Sequence, residues 1–204
     1  MMVTTNTRGS GLREKRKAET RELLRSTALR LFVEHGFDAT SVGQIAEEVG
    51  VSNMTFYRYF PTKESVVLDD DYDPLIADVI AAQPRELPPV ERVRRALGSA
   101  MPEVFEAERD RLRVRVGLIL ETPALRAGYF EQNEALVALI ADALSRPARP
   151  GRSAAPAFAT RVVAAACAAA MTTAVLAWGE RGGSGDLPRL MDDAFVALAK
   201  ECGR

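Results

Sequence analysis

The chain is poor in the residues that build catalytic and metal centres. It holds two cysteines and one histidine in 204 residues. Cys167 and Cys202 make no metal-ligand spacing and no disulfide framework. His35, with no second histidine or cysteine near it, cannot found a metal or acid–base site and reads as the basic end of a helix. Net charge is also lacking: the formal value is −1, so no global basic signature draws the chain to nucleic acid, and any such attraction must be local. Residues 162–178 form the one long uncharged run. It is Ala-rich, slightly short and flanked by Arg161 and Glu180, so it reads as a buried helix, and no membrane is expected. Gly179, Gly182, Gly183 and Gly185 follow no strand and precede no Lys-Ser/Thr pair, which excludes a phosphate loop. Glu106, Glu108 and Asp110 have no companion base, nucleophile or ligand. Asp69-Asp70-Asp71 reads as a solvated helix end, because a helix would spread these carboxylates around its circumference. No catalytic constellation, cofactor or metal is expected, and the chain does not read as an enzyme. No apolar run follows the initial Met, so no signal peptide is expected and the chain reads as cytoplasmic.

What is present concentrates in residues 40–63, TSVGQIAEEVGVSNMTFYRYFPTK. Thr40 and Ser41 are N-cap residue types, and Ile45, Ala46 and Val49 share one helical face. Gly50 stands where a chain leaving a helix needs a left-handed residue. Ser52 caps the next helix, Pro61 stops it, and Thr62 caps a third with Lys63 and Glu64 in its first turn. Two short capped helices around a glycine turn make a helix-turn-helix, which lays its second helix in the DNA major groove. At about 100° per residue, Phe56 and Phe60 face the core, Met54 and Arg58 point nearly opposite, and Thr55 and Tyr57 flank them. Asn53 sits at the exposed N-terminal end. A solvated face would favour Glu and Lys, whereas Asn and Arg can bond base edges, and Met and Thr methyls can touch thymine methyl. Upstream, Arg8, Arg13, Lys15, Arg16, Lys17, Arg21, Arg25 and Arg30 face only Glu14, Glu19 and Glu22, which supplies phosphate attraction beside the motif.

Gly36-Phe37-Asp38-Ala39-Thr40-Ser41-Val42, Ile45-Ala46, Val49-Gly50-Val51-Ser52, Thr55-Phe56-Tyr57-Arg58-Tyr59-Phe60 and Lys63-Glu64 resemble the N-terminal domain of TetR-family transcriptional regulators, over residues 16–67. With the outward face, the resemblance implies that Thr40, Tyr57, Tyr59 and Lys63 position the DNA backbone, while Asn53, Met54, Thr55 and Arg58 lie at the bases. Ser41, Ser52 and Lys17 complete the expected contact set.

The rest of the chain is helical by pattern, giving an all-α fold of about nine helices. Residues 1–11 read as a disordered arm, 12–68 as the three-helix DNA-binding head, and 69–204 as a helical effector-binding and dimerisation domain. The first helix spans residues 12–35, with Leu24, Ala28, Leu31 and Phe32 inward. The three prolines in 83–89 read as a linker between domains. Helices are then expected over 90–107, kinked at Pro102, over 108–120, from Thr122 and Pro123 to Ser145, and over 157–181. A proline- and arginine-rich loop fills 146–156, and a last helix capped by Asp186 turns Leu190, Phe195, Leu198 and Ala199 inward. No strand pattern and no repeat of solenoid period occurs.

Residues 112–120 and 122–133 (LRVRVGLIL, TPALRAGYFEQN) resemble TetR-type regulators grouped with the mycofactocin-system regulator, which implies an acyl-CoA-like effector. Met101, Phe105, Val116, Tyr129, Phe130, Val137, Met171 and Trp178 are the large apolar residues for its pocket, with small residues around Cys167 leaving volume. Arg113, Arg115, Asn133 and Thr172 are polar residues on the same segments, and either arginine is suited to phosphate. One head makes too few contacts for a tight operator complex, so a homodimer is expected. Ala164, Ala165, Ala168 and Ala169, with Leu190, Phe195, Val196 and Leu198, are its expected surface. The combined expectation is a repressor that a small apolar or acyl-CoA-like effector releases from near-palindromic double-stranded operator DNA. An activator or dual regulator is the alternative within DNA binding, and a helical ligand carrier or scaffold with a degenerate head is the alternative outside it.

Overall fold

The computed structural model describes residues 7–69, 73–146 and 156–202. Ten helices and no strand occur among the described residues. The chain divides into two compact units, Met1–Asp69 and Asp70–Arg204.

The first unit holds α1 (Thr7–His35), α2 (Val42–Val49), α3 (Asn53–Tyr59) and the single turn α4 (Ser65–Leu68). Helices as short as α2 and α3 are marginal in isolation, so their ends and their packing decide whether they form. Ser41 Oγ accepts from the Gln44 N–H at 3.2 Å while Gln44 Oε1 accepts from the Ser41 N–H at 2.8 Å, a reciprocal capping box. At the other end Gly50 takes φ 76°, and the Val51 N–H reaches back to Ala46 O at 2.9 Å. A side chain at Gly50 would be strained in that left-handed conformation. Ser52 Oγ accepts from the Thr55 N–H to start α3. Phe60, ahead of Pro61, is extended at φ −134° and ends it. Leu24, Ala28, Leu31 and Phe32 from α1 are buried with Phe37, Ile45, Phe56, Phe60 and Val66.

In the second unit α9 (Phe158–Glu180) is the central helix, packed by α6 (Pro89–Glu121), α8 (Asn133–Ser145) and α10 (Leu187–Cys202). Its buried face is Ala164, Cys167, Ala168, Met171, Ala174 and Trp178. α9 is long and apolar enough to cross a membrane by length and composition, and this face is what it spends on the core of the unit. α5 (Asp73–Ala82) packs on α6 and α8, and α7 (Pro123–Glu131) on α6. Asp186 Oδ1 accepts from the Arg189 N–H at 3.0 Å and caps α10, as the sequence suggests.

Several boundaries differ from expectation. α1 begins at Thr7 and so takes in residues 7–11 of the expected arm, while residues 1–6 lie outside the described residues. Residues 83–88 are a turn between α5 and α6 inside the second unit, not a linker between units. α6 is one continuous helix where two, divided near residue 107, were expected; Leu97 and Phe105 are buried on either side of Pro102, which faces out. The expected 122–145 helix breaks at Gln132, where Ala135 N–H bonds Gln132 O three residues back and tightens the turn. On α10 Phe195 is buried and Leu190 and Leu198 are half-buried against the same core, as expected, while Leu187 and Met191 are buried as well and Ala199 is exposed. Asp70 and Asp71 of the acidic run, and residues 147–155 of the loop, lie outside the described residues.

Arg92 ties the start of α6 to two other helices. Its guanidinium is buried and donates to Leu144 O at 3.1 Å and Ile80 O at 3.4 Å, in the last turns of α8 and α5. Burial, and then the charge of Arg85, hold its pKa below the usual arginine value.

Candidate nucleic-acid interface and effector site

α3 contains no carboxylate, and its outer surface carries Asn53, Met54, Tyr57 and Arg58, all exposed. Met54 is 79% exposed, a position with no packing reason for an apolar side chain. The Arg58 guanidinium lies 5.4 Å from the centre of the half-buried Tyr59 ring, which steadies a long side chain at the surface. Ser52 is exposed at the N-cap, and Thr55 is half-buried with its hydroxyl 3.0 Å from Ser52 Oγ. Thr55 therefore serves the cap first and offers its methyl outward at most. Ser41 is exposed beside Gln44.

Two expected backbone contacts are placed differently. Thr40 is 1% exposed and its hydroxyl donates to Gly36 O at 2.9 Å, so that side chain is sealed under the end of α1. Lys63 Nζ donates to Phe37 O at 2.7 Å and Thr40 O at 3.1 Å and sits 4.1 Å from the Phe37 ring centre. A lysine stem long enough to reach a phosphate is here folded over the α1–α2 turn, where two carbonyls at a helix end and an aromatic face hold its charge. The basic cluster is likewise narrower than its sequence. Arg25 is buried under Phe60, Arg21 lies 3.8 Å from Asp69, and Arg30 pairs with Glu34 and Glu48. Arg13, Lys15, Arg16 and Lys17 remain exposed on α1.

In the second unit the core gathers five of the expected pocket residues, Phe105, Val116, Cys167, Met171 and Trp178, with Met101 and Val137 packed against them. The Phe105 ring meets the Trp178 indole edge-on, centroids 5.7 Å apart. Tyr129 and Phe130 do not join this cluster. Phe130 is 49% exposed with Tyr129 beside it, and Thr172 and Asn133 are half-buried on α9 and α8. Arg113 is exposed and its stem lies on Gly183, where an added Cβ would stand 2.6 Å from Arg113 Cγ. Arg115 is buried. The expected dimer set also divides: Ala164, Ala168 and Phe195 are buried within the unit, while Ala165 and Ala169 are exposed.

A feature not read from sequence is a cleft between α6 and α10, lined by Leu97, Gly98, Met101, Met191 and Phe195. Across it Arg94 forks onto Asp192, at 2.7 Å and 3.1 Å, and also bonds Glu91 at 3.3 Å. These hydrogen bonds raise the Arg94 pKa and hold the Asp192 carboxyl below its ordinary value. Glu91 is lowered chiefly by Arg95 and then by Arg94. The Arg94–Asp192 pair spans 98 residues of chain, a separation at which periodicity carries no signal. Among the described residues no group of His, Cys, Asp and Glu could hold a metal ion.

Comparison with known proteins places both halves. Residues 24–69 match the family described as bacterial regulatory proteins, tetR family, and residues 87–203 match the MftR C-terminal domain. TcmR, an HTH-type transcriptional regulator of Streptomyces glaucescens, is 31% identical over 133 residues, 62% of this chain and 59% of TcmR. A Mycobacterium tuberculosis protein provisionally named the mycofactocin biosynthesis transcriptional regulator MftR is 30% identical over 115 residues, 55% of this chain and 58% of that one. The chain thus matches less than two thirds of the length of either relative. Among solved structures, Thermus thermophilus FadR, a TetR-family transcriptional repressor in complex with lauroyl-CoA, is alike in fold. Its TM-score is 0.50 at 23% identity, covering 87% of this chain and 92% of FadR. The chain therefore belongs to the tetR family of bacterial regulatory proteins, with a C-terminal domain of the MftR type.

Proposed function

We propose that the chain is a homodimeric transcriptional repressor that a small apolar, acyl-CoA-like effector releases from a near-palindromic operator. The observation that carries the reading is the outer face of α3: exposed Asn53, Met54, Tyr57 and Arg58 without a carboxylate, on a helix capped at both ends. Asn53, Met54 and Arg58 read base edges. Tyr57, Tyr59, Ser41, Ser52 and Lys17 position the backbone. Selection of binding duplexes from a random library should return two related half-sites. On the selected duplex, Asn53→Ala should lose discrimination at one base position by about 1–3 kcal/mol, whereas Lys17→Ala should weaken all sequences alike and lower the salt slope by about 1. Equal loss of discrimination from the two variants would sink this assignment.

Two heads on a near-palindrome require two chains. Phe158 is 82% exposed and Val162 52%, and Ala165 and Ala169 continue the same face of α9. An apolar stripe of this kind on a helix with its other face already in the core is the reading's dimer surface. Phe158→Asp with Val162→Asp should turn a dimer into a monomer by light scattering at micromolar concentration. A wild-type monomer that still binds the selected duplex would refute the assembly.

The effector reading is supported by the apolar cluster around Phe105, Met171 and Trp178, by the MftR-type domain, and by the lauroyl-CoA complex of the similarly folded FadR. Binding there changes the head separation, so effector and operator must weaken one another by the same factor. Calorimetric titration with lauroyl-CoA, with and without operator DNA, tests it; saturable binding that leaves operator affinity unchanged removes the inducer role.

A further inference from the structure

Trp178 is the chain's one tryptophan, and it is 1% exposed in the core of the second unit. Its indole N–H meets no acceptor among the described residues. A buried donor left unmade is costly, and it is rarely kept unless something fills it part of the time. The Phe105 ring meets the indole edge-on, and Val116 and Leu120 stand against the adjoining Gly179. The α6–α10 cleft opens one turn further along the same face of α6. Leu97, Met101 and Phe105 recur at helical spacing on one face of α6; the first two line the cleft and the third touches the indole.

We propose that Trp178 is the specificity residue of the effector site: its indole N–H donates to a neutral carbonyl oxygen carried on an apolar chain, as in an acyl thioester. This rests on the acyl-CoA-like effector reading and narrows it. The site selects for the carbonyl, not only for apolar length, because a ligand without an acceptor leaves the N–H orphaned as before.

Two probes of equal length test it: lauroyl-CoA, a thioester, and S-dodecyl-CoA, the thioether without the carbonyl. With a ¹⁵N-labelled indole, the single tryptophan side-chain resonance of the full-length wild-type protein should move downfield with lauroyl-CoA and not with S-dodecyl-CoA. By calorimetry lauroyl-CoA should bind about tenfold tighter than the thioether, and Trp178→Phe, which keeps the ring and drops the donor, should erase that ratio. Equal affinities and equal resonance shifts for the two probes would overturn the role of Trp178 while leaving the acyl-CoA reading intact. No binding of either probe would overturn both. The resonance and the wild-type ratio decide the matter even if Trp178→Phe does not fold.

Discussion

Phe60→Ala is expected to unfold the DNA-binding unit or leave it at the edge of unfolding, with operator binding lost on every sequence. Phe60 is fully buried, its ring centre 5.8 Å from that of Phe56, and the guanidinium groups of Arg21 and Arg25 lie 5.0 and 5.5 Å away over its face. Truncating a buried phenylalanine costs about 3–5 kcal/mol through lost transfer energy and the cavity left behind. Here the loss also removes the aromatic face from the buried Arg25. A domain's whole stability is about 5–15 kcal/mol, so little remains. Thermal unfolding of the full chain followed by circular dichroism should show an early transition that takes only part of the helical signal. Phe60→Leu, which keeps most of the volume, should retain binding. A shift in the first transition corresponding to less than about 1 kcal/mol in Phe60→Ala would mean that the ring is not the anchor of this unit.

Gly179→Ala is expected to destabilise the second unit, against the helix-propensity rule. Alanine in place of a helical glycine ordinarily stabilises by about 0.5–1 kcal/mol. At Gly179, however, an added Cβ would stand 2.2 Å from Val116 Cγ1 and 2.9 Å from Leu120 Cδ1. Valine is stiff about its one side-chain torsion, so relief requires α6 and α9 to move apart. Overpacking of this kind costs about 1–3 kcal/mol, which outweighs the propensity gain. The double variant Gly179→Ala with Val116→Ala should recover much of the loss, because the two sites share one contact. Chemical denaturation of the four proteins in a double-mutant cycle reads the coupling; strict additivity would show that the two side chains do not meet.

The parts legible in the sequence are those whose cause is local. Ser41, Gly50, Ser52 and Pro61 act on neighbours within four residues, and the 3.6-residue period marks Phe56 and Phe60 as inward without knowledge of what covers them. The Ser41–Gln44 capping box was present in the same stretch and is a further local signal. Sequence says least where a side chain's position depends on a distant carbonyl. Lys63 reaches residues 23 and 26 positions back, and Thr40 reaches Leu31, so residue types that usually face solvent turn inward. Arg25 looks in sequence like its exposed neighbours, yet it is buried, with Phe60 from 35 positions further along over its guanidinium. The division expected near residue 107 is absent: α6 runs from Pro89 to Glu121 with Pro102 inside it, because packing along its length outlasts any local pattern. The effector cluster is legible as a list of large apolar residues, but not the α6–α10 cleft, whose walls lie nearly a hundred positions apart.

The Arg92 clasp bears on how the protein would be measured. Its acceptors are the backbone carbonyls of Ile80 and Leu144, which do not titrate, and the guanidinium is out of reach of dissolved ions. The Arg94–Asp192 fork is the opposite case, with both side chains more than a third exposed, so added salt weakens it and acid discharges its carboxylate. In a salt series on operator affinity, the joint of α5, α6 and α8 therefore stays constant while the tie between α6 and α10 loosens. Asp192→Asn supplies the control: a salt slope that survives it belongs to phosphate contacts, and any part that disappears with it belongs to the protein's own helices.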